Sequence, residues 1–246
     1  MTTTMLDTPT LDTPALGAET RDIGGTTTSY SIATFATMRH AMVASQLRTN
    51  AVNDQRVVAA MAQVPRETFM PAEVRALAYR DATIPLGGGR YANLPMATGR
   101  LLTEAYLTAT DRVLLIGAAT GYTAAVLAEI VGSVVAVESD PALLTIAREA
   151  LAGIGNVELV DAPMPDGHAS GAPYDVLIVD GAIETVPDAL IAQVRPGGRV
   201  TAGIAERGLT RLASGRKTDG GFALTAFVDV ECVGLPGFDA PKPFRF

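Results

Sequence analysis

Between residues 111 and 204, short apolar runs alternate with helical patterns. The runs are Val113–Ile116, Val134–Val137, Val157–Val160, Val176–Val179 and Arg199–Ile204. They are mostly continuous rather than alternating, which predicts strands buried on both faces. Between them, Thr123–Val131, Pro141–Ala152 and Thr185–Gln193 have helical spacing. Asp140 caps the second of these, with Pro141 at its first position. Repeated strand–helix–strand units predict an α/β fold with a mostly parallel, doubly wound sheet. After Ala205 the pattern changes. Leu209–Ala213 and Ala223–Val230 read as strands separated by Asp219-Gly220-Gly221, which predicts an antiparallel edge.

Upstream, residues 33–50 carry Met38, Met42, Val43 and Leu47 on one helical stripe. Asn53-Asp54 caps a second helix bearing Val57, Val58 and Met61, and Val64-Pro65 ends it. Met70-Pro71 is a further break. Residues 85–95 read as a loop, with Gly87, Gly88 and Gly89 in a row and then Asn93-Leu94-Pro95. A helix from Met96 to Ala109 follows. Residues 1–33 are rich in Thr, Pro, Gly and Asp, and predict a mobile arm. Residues 235–246 hold three prolines and three phenylalanines and predict an extended tail packed on the surface. The chain thus divides into an arm (1–33), N-terminal helices with a loop (34–110), a sheet core (111–234) and a tail (235–246). Tyr30–Phe35 and the apolar tail both admit a homodimer contact.

Composition narrows the picture. The net charge is −7, which disfavours non-specific binding to nucleic acid or anionic membrane. No apolar run is long enough to span a bilayer, and the start lacks a secretory pattern. One cysteine, Cys232, excludes an internal disulfide and fits a reducing cytoplasm. His40 and His168 lie far apart with no Cys/His cluster, so no metal site is predicted.

The first core strand ends in Ile116 and runs into Gly117-Ala118-Ala119-Thr120-Gly121-Tyr122. Gly117 permits a tight turn, and Gly121 lets the helix start close to the strand. Ala119 is small enough for backbone to approach a ligand. A dinucleotide fingerprint would need glycine at Ala119 and a longer final spacing. Carboxylates also end the next strands: Glu138, Asp161 and Asp180. Around a pyrophosphate they would repel; around a sulfonium and an ammonium group they attract. Glu138 lies about twenty residues past Gly117, where a carboxylate accepts hydrogen bonds from ribose hydroxyls. These features point to S-adenosylmethionine as cofactor. Asp180, before Gly181, reads equally as a turn former.

The sequence is similar to the protein-L-isoaspartate (D-aspartate) O-methyltransferase family from about Met38 to Ile204, roughly two thirds of the chain. The resemblance runs through Met42-Val-Ala-Ser-Gln-Leu-Arg48, Asp54-Gln-Arg-Val57, Val64-Pro-Arg-Glu67, Ala78-Tyr79-Arg80-Asp81, Pro85-Leu86-Gly87, Pro95 and Arg100. It continues through Val113–Leu127, Ala172-Pro173-Tyr174-Asp175 and Gly197-Gly198-Arg199. It implies a Rossmann-like class I S-adenosylmethionine-dependent methyltransferase fold, with S-adenosylhomocysteine as product. The implied cofactor residues are Gly117, Ala119 and Gly121 around the amino-acid part, Glu138 at the ribose, and Asp161 and Ala162 at the adenine, with Ala118, Tyr122, Ser139 and Asp180 beside them. The implied partner is a protein or peptide carrying a damaged aspartyl residue.

Four departures touch the site. Asn93 stands where the family has a serine linked to catalysis, and Asp180 where it has threonine. Leu115 replaces an acidic residue, and Val160-Asp161-Ala162 replaces Gly-Asp-Gly. Methyl transfer to a carboxylate needs positioning rather than a base, because the acceptor is already ionised. Asn93 can donate a hydrogen bond to such an acceptor. Asp180 would repel it, but could serve as base for a hydroxyl or amine. Asn93 and Asp180 are therefore the candidate catalytic residues. The leading reading is isoaspartyl methylation with altered efficiency; a different acceptor, or a binding protein with a vestigial cofactor site, are the alternatives. Arg211, Arg216 and Lys217 read as a solvated strand edge, Cys232 as a buried small apolar residue, and His168 as exposed.

Overall fold

The computed structural model describes residues 32–238. The predicted arm, but for its last two residues, and the tail beyond Phe238 lie outside the described residues. Helix α1 (Ile32–Met42) runs into a π-helical turn, Val43–Leu47, and a 3₁₀ turn, Arg48–Asn50, and stops where Ala51 turns left-handed at φ 57°. Asp54 caps α2 (Gln55–Gln63) by accepting from the Arg56 amide at 2.9 Å. The helix ends at Val64, held extended by Pro65.

Residues 85–95 are not an irregular loop, as the composition suggested. Strands β1 (Ile84–Gly87) and β2 (Arg90–Ala92) form a small antiparallel hairpin. Its turn needs left-handed backbone at Gly87, Gly88 and Gly89, where φ is 97°, 56° and 77°. Strands this short carry no visible alternation. Helix α3 (Pro95–Glu104) ends five residues before the predicted Ala109. The Asp111 carboxylate accepts from the Thr108 amide at 2.7 Å and folds that stretch into a turn.

The core then runs β3 (Arg112–Ile116), α4 (Tyr122–Ala128), β4 (Ser133–Glu138), α5 (Pro141–Ala150), β5 (Val157–Asp161), β6 (Tyr174–Ile183), α6 (Asp188–Ala192), β7 (Val194–Glu206), β8 (Leu209–Arg216) and β9 (Leu224–Asp229). Strand order is β5-β4-β3-β6-β7-β8-β9. The first five are parallel and the last two add antiparallel, as predicted. The continuous apolar runs fill both faces. Val113 and Leu115 join the cluster under α1, α2, α4 and α5, while Leu114 and Ile116 join the one on the opposite face. β5 departs from that expectation. It is the sheet's edge and is only partly buried.

The basic residues are also placed differently from the prediction. Arg211 and Arg216 lie on β8, which is paired on both sides. Lys217 Nζ donates to the carbonyls of Ile191 and Val194 at 2.9 and 2.7 Å, closing the end of α6. His168 is half-buried and bonds Ser170 at 2.9 Å, rather than standing free in solvent. Asp140 caps α5 as predicted, accepting from Ala142 and Leu143 at 2.9 and 3.3 Å. Its removal in Asp140→Ala is expected to cost about 1 kcal/mol in urea unfolding; an unchanged midpoint would mean that α5 is held by packing alone.

Candidate functional site

The chain leaves β3 for β4 and β5 on one side, then returns to β6 on the other. This reversal opens a crevice at the carboxyl ends of β3 and β6, where open α/β sheets hold ligands. The Gly117–Tyr122 loop sits there. Gly117 and Gly121 have φ of 82° and 97°, and Ala119 is left-handed at 48°, a conformation that costs a non-glycine residue energy. The Ala119 amide recovers some of it by donating to Glu138 at 2.8 Å.

Glu138, at the end of β4, is fully buried. Its carboxylate also accepts from the amides of Ser139 and Asp140 at 2.9 and 3.1 Å. Arg90, from the hairpin, meets it in a two-pronged ion pair at 2.6 and 2.9 Å, itself only 7% exposed. The carboxylate predicted to take ribose hydroxyls is therefore already saturated with donors. A chain-local reading of a glycine-rich turn gives no sign of where Arg90 points.

Asp180, at β6, gathers three donors: Asn93 Nδ2 at 2.8 Å, Thr98 Oγ1 at 3.2 Å and Thr123 Oγ1. The two residues predicted as catalytic are thus bonded to one another. Asn93 is buried, and its Oδ1 accepts from the Val233 amide at 2.8 Å. That amide belongs to a strap, residues 232–238, which crosses the crevice and pairs with Ala182 on β6. Leu235 of the strap covers the crevice so closely that a Cβ would lie 2.9 Å from its Cδ1 at Gly117 of the loop and 2.4 Å from its Cγ at Gly181 of β6. Cys232 is buried beside this network, and burial pushes its thiol up, so it stays an un-ionised apolar residue as predicted.

The other predicted residues spread along the crevice. Asp161 is exposed and reaches only Arg148, at 3.9 Å. With Ser139, Ala162, Pro163 and the strap's Pro236 it lines an open cleft of about 460 Å³. Leu115 is fully buried in the helix-side core, so its loss of charge does not bear on the cavity wall.

One residue stands out that the sequence left without a role, and it lies against one that the sequence did assign, Tyr122. Arg66, from the turn after α2, is 2% exposed, and burial holds its pKa below the ordinary value. It donates to the carbonyls of Ala78 and Asn93 at 2.9 and 2.6 Å and stacks 4.6 Å from the Tyr122 ring centroid. Among the described residues no carboxylate lies within ion-pair distance of it. Beside it the Tyr122 hydroxyl is buried without a hydrogen-bond partner. Burial pushes that phenol up to about 12 against the pull of Arg66, so it remains a neutral donor. A buried donor left unpaired costs about 1–3 kcal/mol. Arg66, Tyr122, Asn93, Thr98, Asp180 and the Gly117–Thr120 loop wall one cavity, whose free volume is about 20 Å³.

The residue set fits a ligand with hydroxyls and positive charge: Glu138 and Asp161 end the adjacent strands β4 and β5, and Asp180 lies near the end of β6 on the other side of β3, around a left-handed loop. The loop cavity, however, has room for little more than one or two waters. A ligand that fills it must displace Arg90 from Glu138 or shift Leu235.

A family model described as protein-L-isoaspartate(D-aspartate) O-methyltransferase matches residues 37–237. The chain is 40% identical over 204 residues to protein-L-isoaspartate O-methyltransferase 1 of Rhodopseudomonas palustris (strain HaA2), covering 82% of this chain and 80% of that one. It is 34% identical over 213 residues to protein-L-isoaspartate O-methyltransferase of Koribacter versatilis (strain Ellin345), covering 86% and 96%. A solved structure of a protein-L-isoaspartate O-methyltransferase superposes with a TM-score of 0.71 at 27% identity, covering 81% of this chain and 66% of that one.

Proposed function

Because the chain belongs to the protein-L-isoaspartate(D-aspartate) O-methyltransferase family, we propose that it transfers the methyl group of S-adenosylmethionine to the free carboxylate of isoaspartyl residues in proteins and peptides. The family match across residues 37–237 carries this reading, since it spans both the loop at the crevice and the strap over it. S-adenosylmethionine, when bound, supplies the activated methyl group. Gly117, Ala118, Ala119, Gly121 and Tyr122 hold its amino-acid end, Glu138 and Ser139 the ribose side, and Asp161 and Ala162 the open cleft. Asp180 offsets its positive charge.

The hydrogen bonding of Asp180 favours a carboxylate acceptor over a hydroxyl or an amine. Its oxygens are engaged by Asn93, Thr98 and Thr123. These bonds occupy three of its roughly four lone-pair sites, and a carboxylate acceptor needs no base, so their role is to position. Asp180 instead fixes Asn93, and the strap and hairpin exclude water from the crevice. The single cysteine fits a cytoplasmic setting.

Incubation with labelled S-adenosylmethionine and a peptide in isoaspartyl and ordinary aspartyl forms tests the proposal. Methylation of the isoaspartyl form alone is expected. No methylation, with S-adenosylhomocysteine still bound, would transfer the chain to another acceptor.

The Arg90–Glu138 pair also favours a second reading, in which the cofactor site is closed and the protein acts by binding alone. Calorimetry with S-adenosylhomocysteine separates the two, because the second predicts no heat. If the cofactor does bind, it competes with Arg90. Arg90→Gln is then expected to tighten S-adenosylhomocysteine binding about tenfold, equivalent to ~1.4 kcal/mol. Weaker binding in that variant would show that Arg90 holds the cofactor rather than excluding it.

A further inference from the structure

Among the described residues, the cavity wall holds two arginines in opposite situations. Arg90 has a carboxylate, Glu138, on both of its terminal nitrogens. Arg66 has none. Its Nε and Nη2 are spent on the carbonyls of Ala78 and Asn93. The Tyr122 hydroxyl beside it is buried, lies against the Arg66 guanidinium and makes no hydrogen bond of good geometry. The nearest anion on the same cavity wall, Asp180, has its oxygens engaged by Asn93, Thr98 and Thr123. A guanidinium held out of water with no carboxylate at ion-pair distance is costly, and such a group on a cavity wall is a candidate ligand-binding group.

We propose that Arg66 and the Tyr122 hydroxyl are the binding groups for the acceptor carboxylate. The inference rests on the reading that the acceptor is a carboxylate, and it names what holds that acceptor. Arg66 is anchored by the Asn93 carbonyl, while the Asn93 side chain is anchored to Asp180. The two ends of Asn93 therefore set a fixed separation between a cation for the acceptor and a carboxylate for the cofactor's charge. Arg66 Nη1 donates to one carboxylate oxygen and Tyr122 Oη adds a second donor. The oxygen that attacks the methyl group keeps a free lone pair. Its bond to the methyl carbon forms as the carbon–sulfur bond breaks, with the electron pair leaving on sulfur. The ester so formed is neutral and loses its attraction to Arg66, which favours release.

The test is binding, measured by calorimetry with S-adenosylhomocysteine present. The probes are one peptide bearing isoaspartate and the same peptide with that free carboxylate converted to the primary amide. The native protein is expected to prefer the carboxylate form at least tenfold. In Arg66→Gln the preference falls to about onefold, with S-adenosylhomocysteine affinity unchanged. In Tyr122→Phe it falls a few-fold with no loss of thermal stability, since the hydroxyl has no hydrogen bond of good geometry to lose. Equal binding of both peptides by the native protein overturns the proposal without any variant, so a poorly folding Arg66→Gln does not shield it. Full preference retained in a folded Arg66→Gln overturns it as well. The two readings fail separately. Methylation with preference intact in Arg66→Gln removes Arg66 and leaves the reaction. Arg66-dependent preference without methylation removes the reaction and leaves the carboxylate site.

Discussion

Glu138→Ala is expected to lower stability by about 3–5 kcal/mol and to abolish S-adenosylhomocysteine binding. The stability term follows from burial. Glu138 is fully enclosed and paired with Arg90, which is itself nearly so. Removing one member of a buried pair strands the other, which typically costs about 3–5 kcal/mol. The amides of Ala119, Ser139 and Asp140 lose their acceptor at the same time. For a chain of this size the melting temperature should fall on the order of 10 °C. The binding term has another cause. The Ala119 amide holds the loop in its left-handed turn through Glu138, so the loop loosens when the carboxylate goes. The double variant Arg90→Met with Glu138→Met should recover much of the stability, because an apolar pair fills the same space without a stranded charge. It should not recover binding. An unchanged melting temperature in Glu138→Ala would mean that the ion pair is absent in solution.

Asp180→Ala should reduce kcat/KM by about 10²–10³, with a smaller effect on stability. Three side chains converge on this carboxylate from separate elements: Asn93 from the segment before α3, Thr98 from α3 and Thr123 from α4. Without it, Asn93 keeps only its bond to the strap at Val233, and the acceptor's position relative to the methyl group drifts. Asp180→Asn should be nearly as damaging, because an amide nitrogen would face donors where an oxygen had accepted. If Asp180 acts by positioning, Asp180→Ala also weakens binding of the isoaspartyl peptide measured by calorimetry. A loss confined to kcat, with peptide binding unchanged, would restore it as a general base.

Much of this architecture was legible in the chain. Short apolar runs without alternation between turn signals fit strands covered on both faces, and Val113–Ile116 and Val176–Val179 proved so. The Asp54 and Asp140 caps act over two or three residues, within reach of sequence spacing. The loop at Gly117 and the carboxylates ending β4 and β5 were equally visible, because strand ends and turn residues are neighbours in sequence; Asp180, predicted as a strand end, lies three residues inside β6. Less legible were elements whose cause lies elsewhere. The hairpin of Ile84–Ala92 is too short to carry a period. The exposure of β5 follows from its place at the sheet edge, which no run of residues encodes.

The sequence by itself determined the family, the doubly wound sheet and the crevice at the Gly117 loop, because each depends on local spacing repeated in one register. Only the tertiary structure decided what each charged group in that crevice faces. Arg90 meets Glu138 across 48 positions, and Asn93 meets Asp180 across 87. Arg66 comes from a turn ahead of the sheet and is left facing no carboxylate among the described residues. Pairings of this kind are fixed by the packing of the N-terminal helices and the hairpin against the sheet. A charge is as costly or as useful as the group opposite it, and that group is distant in the chain.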